Sequence, residues 1–300
     1  MTSLLRTPLL RSTTLGAAFG GTALLKAELL QKTGSFKPRG ILAKLASLST
    51  EEKQKGVITV SAGNAAGAVA YGCALERIDC LVVMWQGTSD LKAAAARGYG
   101  ATVDREASDP GQAFARLEEL RDATGRTFVH PFDDPVVIEG HSSLGREILE
   151  DAPETEVIVA QAGGGGLVSG LAVGAPGARV VAVEPERSKA LHEGLAAGHP
   201  VDVQPDSIAD ALNAPVAGEY TLRVCAERGV ESVLITEDDV RAGFRFLYER
   251  AKLAAEPGAA AGTGALLAGK VPDVEGRTVA IVVSGGNVAP EIAAAILKEE

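Results

Sequence analysis

The sequence predicts an α/β fold in which helices cover both faces of parallel sheets. Short runs rich in valine and isoleucine recur along the chain, and helical stretches separate most of them. Continuous apolar runs are typical of strands buried on both faces, and strands that alternate with helices form parallel sheets. With 300 residues the chain is long enough for two packed lobes. The runs lie at 57–60, 81–84, 157–160, 180–183 and 280–283.

Helices are predicted between these strands. Asp109 followed by Pro110 indicates an N-cap with proline in the first helical position. Alanine-rich stretches at 92–97 and 254–267 indicate closely packed helices, and the proline-punctuated segment 130–135 is the best candidate for a hinge. Apolar residues at helical spacing predict the buried faces of two helices: Ile41, Leu42, Leu45 and Leu48, and then Phe114, Leu117 and Leu120.

The composition argues against several classes of protein. A net charge of −10 disfavours nucleic acid and anionic membranes as partners. No stretch approaches the about 18 apolar residues of a membrane span, and Pro8, Ser12, Thr13 and Thr14 interrupt any apolar core of a signal peptide. Cys73, Cys80 and Cys225 form no C-x-x-C pair and are odd in number, which favours a reducing compartment. We therefore expect a cytoplasmic protein.

The segment 32–40 contains a lysine that is a candidate nucleophile. Pro38 disfavours helical geometry at Lys37 and suits the first position of a helix, so Lys37 should lie where a loop meets a helix. A partly desolvated amine beside a helix N-terminus has a lowered pKa and can attack a carbonyl. The alternative is an ordinary exposed lysine in a turn.

The segment after the run 57–60 has the composition of an anion-binding turn. Successive backbone N–H groups between a strand and a helix can bind an anion, and Asn64 can add a side-chain donor. A structural turn capped by Asn64 is the alternative. The candidate residues are Ser61, Ala62, Gly63, Asn64 and Ala65.

Two glycine-containing segments follow later predicted strands. Four consecutive glycines after the run 157–160 indicate close approach to a ligand phosphate, although a tight turn is the alternative. Neither G-x-G-x-x-G nor a P-loop is present. Ser284, after the last run, could bond a heterocycle or cap a helix. The glycines are Gly163, Gly164, Gly165 and Gly166.

Taken together and in this order, the segments resemble the fold-type II pyridoxal-phosphate enzymes, specifically the threonine/serine dehydratase and serine racemase family. Independent turns would not reproduce one family's spacing over most of the chain. The matching motifs are Thr7-Pro8-Leu9, Glu28, Gln31, 33–37, Arg39-Gly40, the 61–65 loop, 130–134, the tetraglycine, 183–185, Glu256-Pro257 and 284–287.

The resemblance implies a role for each candidate residue. Lys37 would hold pyridoxal 5′-phosphate as a Schiff base, and Phe36 would pack against the pyridine ring. Asn64 would bond the phenolic oxygen, the backbone of 163–166 would bind the phosphate, and Ser284 would face the pyridine nitrogen. Such enzymes deaminate a β-hydroxy amino acid by β-elimination, which yields a 2-oxo acid and ammonia.

The resemblance also implies a domain organisation. Residues 1–55 and 134–300 would form a large cofactor-binding lobe, and residues 56–133 a small mobile lobe. Closure of the small lobe would place the 61–65 loop on the substrate carboxylate and exclude water. A homodimer is expected, since dimers are common in the family.

Several departures from the family pattern bear on substrate and reaction. Ala65 and Ala66 replace a histidine and its neighbour, which predicts a bulkier β-substituent than threonine's unless His141 fills the space. Ala62 replaces the serine of eukaryotic-type serine racemases, so elimination should exceed racemisation. Ala190 replaces an acidic residue in the divalent-cation loop, and no metal is expected.

Three alternative functions stand beside the lyase. An amino-acid racemase could use another second base, and a protein without activity could merely bind the cofactor. A dinucleotide-dependent oxidoreductase is disfavoured by Lys37 and by the missing G-x-G-x-x-G.

Overall fold

The computed structural model describes residues 4–298. Its strands are β1 (Leu9–Arg11), β2 (Thr22–Lys26), β3 (Val57–Val60), β4 (Cys80–Trp85), β5 (Thr102–Ala107), β6 (Thr127–Phe128), β7 (Val157–Gln161), β8 (Arg179–Pro185), β9 (Glu231–Ile235) and β10 (Thr278–Val282). Its α-helices are α1 (Thr13–Phe19), α2 (Pro38–Ser47), α3 (Thr50–Lys55), α4 (Asn64–Glu76), α5 (Asp90–Gly98), α6 (Pro110–Thr124), α7 (Pro135–Asp151), α8 (Gly166–Gly174), α9 (Ala190–Ala197), α10 (Glu219–Glu227), α11 (Glu237–Phe246), α12 (Pro257–Leu267) and α13 (Pro290–Lys298). Short 3₁₀ turns lie at Glu28–Leu30, Lys32–Gly34 and Asp210–Leu212, and α11 continues into a π-helical turn at Leu247–Ala251.

The strands form two sheets. The larger has the order β1-β2-β10-β7-β8-β9, in which only β1 is antiparallel to its neighbour. The smaller has the order β5-β4-β3-β6 and is parallel throughout. The predicted α/β fold with parallel sheets is thus confirmed.

The five strands predicted from apolar runs all form, and they are central strands of the two sheets. Every residue of β3 and β7 is buried, as expected where helices cover both faces. The sequence did not indicate β2, which lies between β1 and β10, or the edge strands β1, β5, β6 and β9. Strands β5 and β9 have several partly exposed residues. Edge strands lack the continuous apolar signal because one side of the strand meets solvent.

The predicted helices form with some differences at their ends and faces. Asp109 caps α6 by accepting from the Gln112 N–H, and Pro110 holds the first helical position, as predicted. Phe114 does not belong to the buried face of α6: it is 40% exposed, whereas Leu117 is buried. The alanine-rich stretch predicted from 254 becomes helical only at Pro257.

Helix α2 packs between α4, next to the smaller sheet, and α7. Side chains Ile41 and Leu45 of α2 belong to the same hydrophobic cluster as Val57 of β3 and Val69 of α4. The smaller sheet is built from residues within 57–128, and the bounds of a mobile small lobe stay a prediction. Within residues 4–298, no helix has the length and hydropathy to cross a membrane.

Candidate active site

The predicted segments meet at the carboxyl ends of the central strands. The 61–63 turn follows β3, the 163–165 turn follows β7, and Ser284 lies just beyond β10. The loop that carries Lys37 is fixed to the same edge, because the Phe36 N–H donates to the Ser284 carbonyl at 3.0 Å. Ligands of parallel α/β sheets bind at this edge, so the fold itself favours a site here.

Lys37 is a half-buried amine at the start of α2. Its Nζ donates to the Pro131 carbonyl at 2.8 Å and lies 5.1 Å from the centroid of the Phe36 ring. Burial lowers the pKa of Lys37 to about 8, against an opposing attraction from Glu256. A much larger fraction of this amine is unprotonated near neutral pH than of an exposed lysine, so the side chain can act as a nucleophile and base.

The predicted position of Lys37 is confirmed, but its predicted backbone geometry is wrong. Pro38 does take the first position of α2, yet Lys37 itself has helical angles, φ −51° and ψ −37°. The Phe36 carbonyl accepts from the Arg39 N–H, and the Lys37 carbonyl accepts from the Ile41 N–H. These two bonds outweigh the bias against helical geometry before proline, which is a preference and not a prohibition.

Asn64 is the first residue of α4, and Gly63 is the N-cap. The alternative in which Asn64 caps the helix is therefore wrong. Its amide Nδ2 donates to Glu256 Oε1 at 2.7 Å, and its Oδ1 accepts from Asn287 Nδ2 at 2.9 Å. Asn287 also donates to the Thr33 carbonyl at 2.8 Å. The smaller sheet is thus connected to the larger one through an amide whose orientation is set at both ends.

The tetraglycine is packed as well as exposed to the cleft. A Cβ on Gly164 would overlap the Phe132 ring, which lies against this turn. Gly165 has a φ of +92° and is the N-cap of α8. The Gly164 carbonyl accepts from Thr221 Oγ1 at 2.8 Å. Close approach of a neighbouring side chain therefore accounts for part of the glycine requirement that the sequence attributes to a ligand.

The backbone N–H groups of the tetraglycine are free to bind an anion. Among the described residues, none of the N–H groups of 163–166 donates a hydrogen bond, whereas the Gly164 carbonyl is satisfied. These groups precede the first turn of α8, where the helix dipole also favours negative charge. The arrangement suits a phosphate.

Ser284 is buried, and its hydroxyl has a partner that sequence reasoning missed. In the amide orientation that satisfies both of its atoms, Gln161 accepts from the Ser284 hydroxyl and donates to the Val282 carbonyl at 3.1 Å. Gln161 ends β7, the neighbour of β10 in the sheet. The sequence signal that could have identified Gln161 is its position as a polar residue at the carboxyl end of a buried apolar strand.

Phe36 and His141 form a buried pair beneath Lys37. Their ring centroids are 4.8 Å apart, and both side chains are buried. His141 is packed closely against α2 and α8: a Cβ on Gly40 would overlap the imidazole, and a Cβ on Gly170 would overlap the His141 Cβ. Burial holds the pKa of His141 well below its usual value, and neither ring nitrogen has a partner among the described residues.

The two alanines that replace the family's polar residues have different environments. Ala66 lies in the hydrophobic cluster with Ile41 and Val69, so it does not line the cleft, contrary to the interpretation that placed both alanines beside the substrate. Ala65 is buried outside the four hydrophobic clusters, next to Asn64. Ser61, Ala62 and Gly63 are half-buried, and Ser61 Oγ accepts from the Gly63 N–H at 3.1 Å.

Glu184, at the proposed position of a divalent-cation loop, binds a helix end. Its carboxylate accepts from the N–H groups of Leu191 and His192 at 3.0 and 2.7 Å, in the first turn of α9. Burial raises the pKa of Glu184 to about 8. Within residues 4–298 no cluster of three or more His, Cys, Asp or Glu side chains could hold a metal ion.

Comparison with known proteins agrees with this geometry. The profile of the family described as pyridoxal-phosphate dependent enzyme matches residues 2–285. The L-threonine ammonia-lyase of Thermotoga maritima is 38% identical over 288 residues, which cover 94% of this chain and 71% of the relative. The phenylserine dehydratase of Ralstonia pickettii is 37% identical over 274 residues, 89% of this chain and 83% of that one. The structure of maize serine racemase superposes with a TM-score of 0.92 at 30% identity and covers 97% of this chain and 91% of that one.

Proposed function

The chain belongs to the pyridoxal-phosphate dependent enzymes, and we propose that it is an ammonia-lyase that converts a β-hydroxy amino acid to a 2-oxo acid and ammonia. The observation that carries this proposal is the half-buried Lys37 amine, with its lowered pKa, on the same sheet edge as a glycine turn with free N–H groups. An amine and an anion site in one cleft can hold an aldehyde that carries a phosphate.

The residues present fit pyridoxal phosphate. The free N–H groups of 163–166 suit its phosphate, and Lys37 suits its aldehyde. The Thr33 and Ser35 hydroxyls, on the loop that carries Lys37, are buried without a partner among the described residues. Unsatisfied polar atoms around a cleft are expected where a polar ligand completes the site.

Lys37 carries out the proton chemistry in this proposal. The bound cofactor supplies an electron sink that makes the substrate Cα proton acidic and allows the β-hydroxyl to leave. Once free, the Lys37 amine takes the Cα proton at Nζ, and its lowered pKa suits a base that works near neutral pH. The Pro131 carbonyl, 2.8 Å from Nζ, keeps the amine beside the reacting centre.

The remaining residues orient the reactants. We assign the 61–65 loop to the substrate carboxylate through the N–H groups of Ala62, Asn64 and Ala65, because those of Ser61 and Gly63 already donate within the protein. The Asn64 side chain is assigned to the phenolic oxygen and Ser284 to the pyridine nitrogen. The Ser284 hydroxyl is neutral and is shared with Gln161, so it does not hold the ring nitrogen protonated as a carboxylate would. A milder electron sink of this kind favours β-elimination.

Ala62 offers no acid or base to the second face of the substrate, so elimination should exceed racemisation. The experiment is to follow 2-oxo acid release and enantiomer exchange together on β-hydroxy amino acids. General acid–base groups contribute about 10²–10⁴-fold, so the product ratio should be strongly one-sided. Enantiomer exchange as fast as 2-oxo acid release would favour a racemase. The similarity to maize serine racemase is the observation that supports this second candidate.

The substrate is proposed to carry a bulkier β-substituent than threonine, an aryl or branched group. Ala65, beside Asn64, is smaller than the imidazole that the family places there. His141 does not reach out from the core to replace it, because its ring is buried against Phe36. The similarity to a phenylserine dehydratase supports the same choice.

The small lobe, residues 56–133, is proposed to close over this substrate. The contacts that already join the smaller sheet's helices to the larger lobe include those of Asn64 with Glu256 and Asn287, and that of Lys92 Nζ with Asp210 Oδ2 at 2.5 Å. Closure about the 130–135 segment would bring the 61–65 loop onto the substrate. A homodimer and a cytoplasmic location stay predictions.

A further inference from the structure

Glu256 is a buried acidic residue within the site that the proposed function leaves without a role. It directly precedes α12 and is 1% exposed. Its backbone N–H donates to the Gly285 carbonyl at 3.0 Å, and its Oε1 accepts from Asn64 Nδ2 at 2.7 Å. Its Oε2 has no partner among the described residues.

The backbone around Glu256 is shaped to admit its carboxyl group. Gly285 follows Ser284, and a Cβ at Gly285 would overlap Glu256 Oε1 and would lie 3.1 Å from Asn64 Nδ2. A side chain at 285 would therefore displace the contact between Glu256 and Asn64. The glycine that follows the predicted heterocycle-binding serine makes room for a carboxyl group.

Three charged groups and one amide, from four elements, face Glu256. Burial raises the pKa of Glu256 to about 7, and Asp210 adds to this effect; Lys92 of α5, the Asn64 amide and Lys37 oppose it. Lys92 Nζ is paired with Asp210 Oδ2 at 2.5 Å, so Lys92 stabilises a negative charge on Glu256 less than an unpaired lysine would. A buried carboxylate with an unpaired oxygen is costly, whereas a neutral carboxyl group gains an O–H donor at that oxygen.

We propose that Glu256 works as a neutral carboxyl group that positions Asn64 through Oε1 and donates a hydrogen bond from Oε2 to the bound cofactor. This inference rests on the proposed pyridoxal phosphate site. Asn64 keeps one Nδ2 hydrogen after its bond to Glu256, because its Oδ1 accepts from Asn287. Glu256 and Asn287 together thus direct the remaining Asn64 donor and prevent rotation of the amide.

The first test uses the protein without cofactor and compares Glu256→Gln with wild type by thermal unfolding from pH 4.5 to 9. A carboxyl group whose pKa is higher in the folded than in the unfolded state loses stabilisation as the pH rises between those two values. The Tm of Glu256→Gln minus that of wild type should therefore increase between about pH 4.5 and about 7, and this difference should stay constant at higher pH. A Tm difference that is independent of pH would overturn the inference.

The second test measures cofactor binding by the apoproteins with pyridoxal phosphate as the probe. Gln keeps both an acceptor and a donor, so Glu256→Gln should bind like wild type below pH 7 and should not weaken above it. Wild type should bind the cofactor more weakly than Glu256→Gln above pH 7. Glu256→Ala should bind it about tenfold more weakly than Glu256→Gln at every pH, which corresponds to the loss of one hydrogen bond. The visible absorption band of the Lys37-linked cofactor should lose its pH inflection in Glu256→Gln.

Glu184→Gln is the matched control, because Glu184 is also buried with a raised pKa but bonds the start of α9. It should alter the pH dependence of Tm and leave the cofactor's spectrum unchanged. Equal affinity and an unchanged spectrum in both Glu256 variants would refute the proposed role while leaving the enzyme assignment intact. Failure of wild type to bind the cofactor at Lys37 would refute the proposed function instead, and the unfolding experiment would still decide the charge of Glu256.

Discussion

Arg39 anchors the helix that carries Lys37, and its loss should destabilise the protein strongly. The side chain is buried and donates to both oxygens of Glu28, from Nε at 2.7 Å and from a terminal nitrogen at 2.9 Å. It also donates to both oxygens of Glu147 at 2.8 Å. We predict that Arg39→Ala lowers the free energy of unfolding by about 3–5 kcal/mol, the range for breaking a buried pair.

The magnitude follows from which partner is left without a cation. Glu28 is fully buried, and its remaining side-chain donor is the Thr7 hydroxyl. Glu147 is 18% exposed and keeps Lys26 at 2.9 Å, so it contributes less of the loss. Most of the lost free energy of unfolding therefore comes from the buried Glu28 charge that is left without a cation. Arg39→Ala combined with Glu28→Gln should recover at least half of that loss.

Urea denaturation followed by circular dichroism measures these differences. The control is Arg146→Ala, which removes an exposed pair with Glu139 at 3.2 Å and should cost less than about 1 kcal/mol. An Arg39→Ala protein within about 1 kcal/mol of wild type would contradict the reasoning. So would a double variant no more stable than Arg39→Ala, because the penalty would then not reside in the Glu28 charge.

Three further predictions concern the site. Gly164→Ala should weaken cofactor binding because its Cβ overlaps Phe132 beside the phosphate turn, whereas Gly98→Ala, with open space at that Cβ, should bind the cofactor normally in the same titration. Ala65→His should shift kcat/KM from phenylserine-like substrates towards threonine; a wild type that prefers threonine to every bulkier analogue would reject the bulky-substrate proposal. The rate at which apoprotein captures pyridoxal phosphate, measured by stopped-flow absorbance, should rise with pH up to about 8, where Lys37 loses its proton, and then level off. A rate that keeps rising up to pH 10 would contradict the lowered pKa of Lys37.

All central strands but β2, and the order of the site segments, could be predicted because their signals are local. A strand buried on both faces is mostly apolar, as β3 and β7 are apart from Thr59 and Gln161. A lysine before proline and four glycines after a strand are likewise visible in the chain itself. The edge strand β5 was missed because its residues face solvent and carry the polar pattern of a loop.

The contacts that complete the site depend on residues far apart in sequence. Asn64 and Glu256 are separated by 192 positions, and the sequence around Glu256 gives no sign that its carboxyl group bonds that amide. Gln161 acquires its role only because β7 and β10 are neighbours in the sheet. Phe114 has the spacing of a core residue, yet the helix rotation that buries Leu117 leaves it exposed. Such facts are set by tertiary packing, which overrides local pattern.

Covalent attachment of the cofactor at Lys37 tests the central claim most directly. Wild type incubated with pyridoxal phosphate and reduced with borohydride should carry the cofactor on the peptide that contains Lys37, as mass spectrometry would show. Lys37→Ala should lose both this adduct and 2-oxo acid release, whereas Lys32→Ala, an exposed lysine on the same loop, should keep both. A Lys37→Ala protein that retains full activity, or an adduct found on another lysine, would contradict the account.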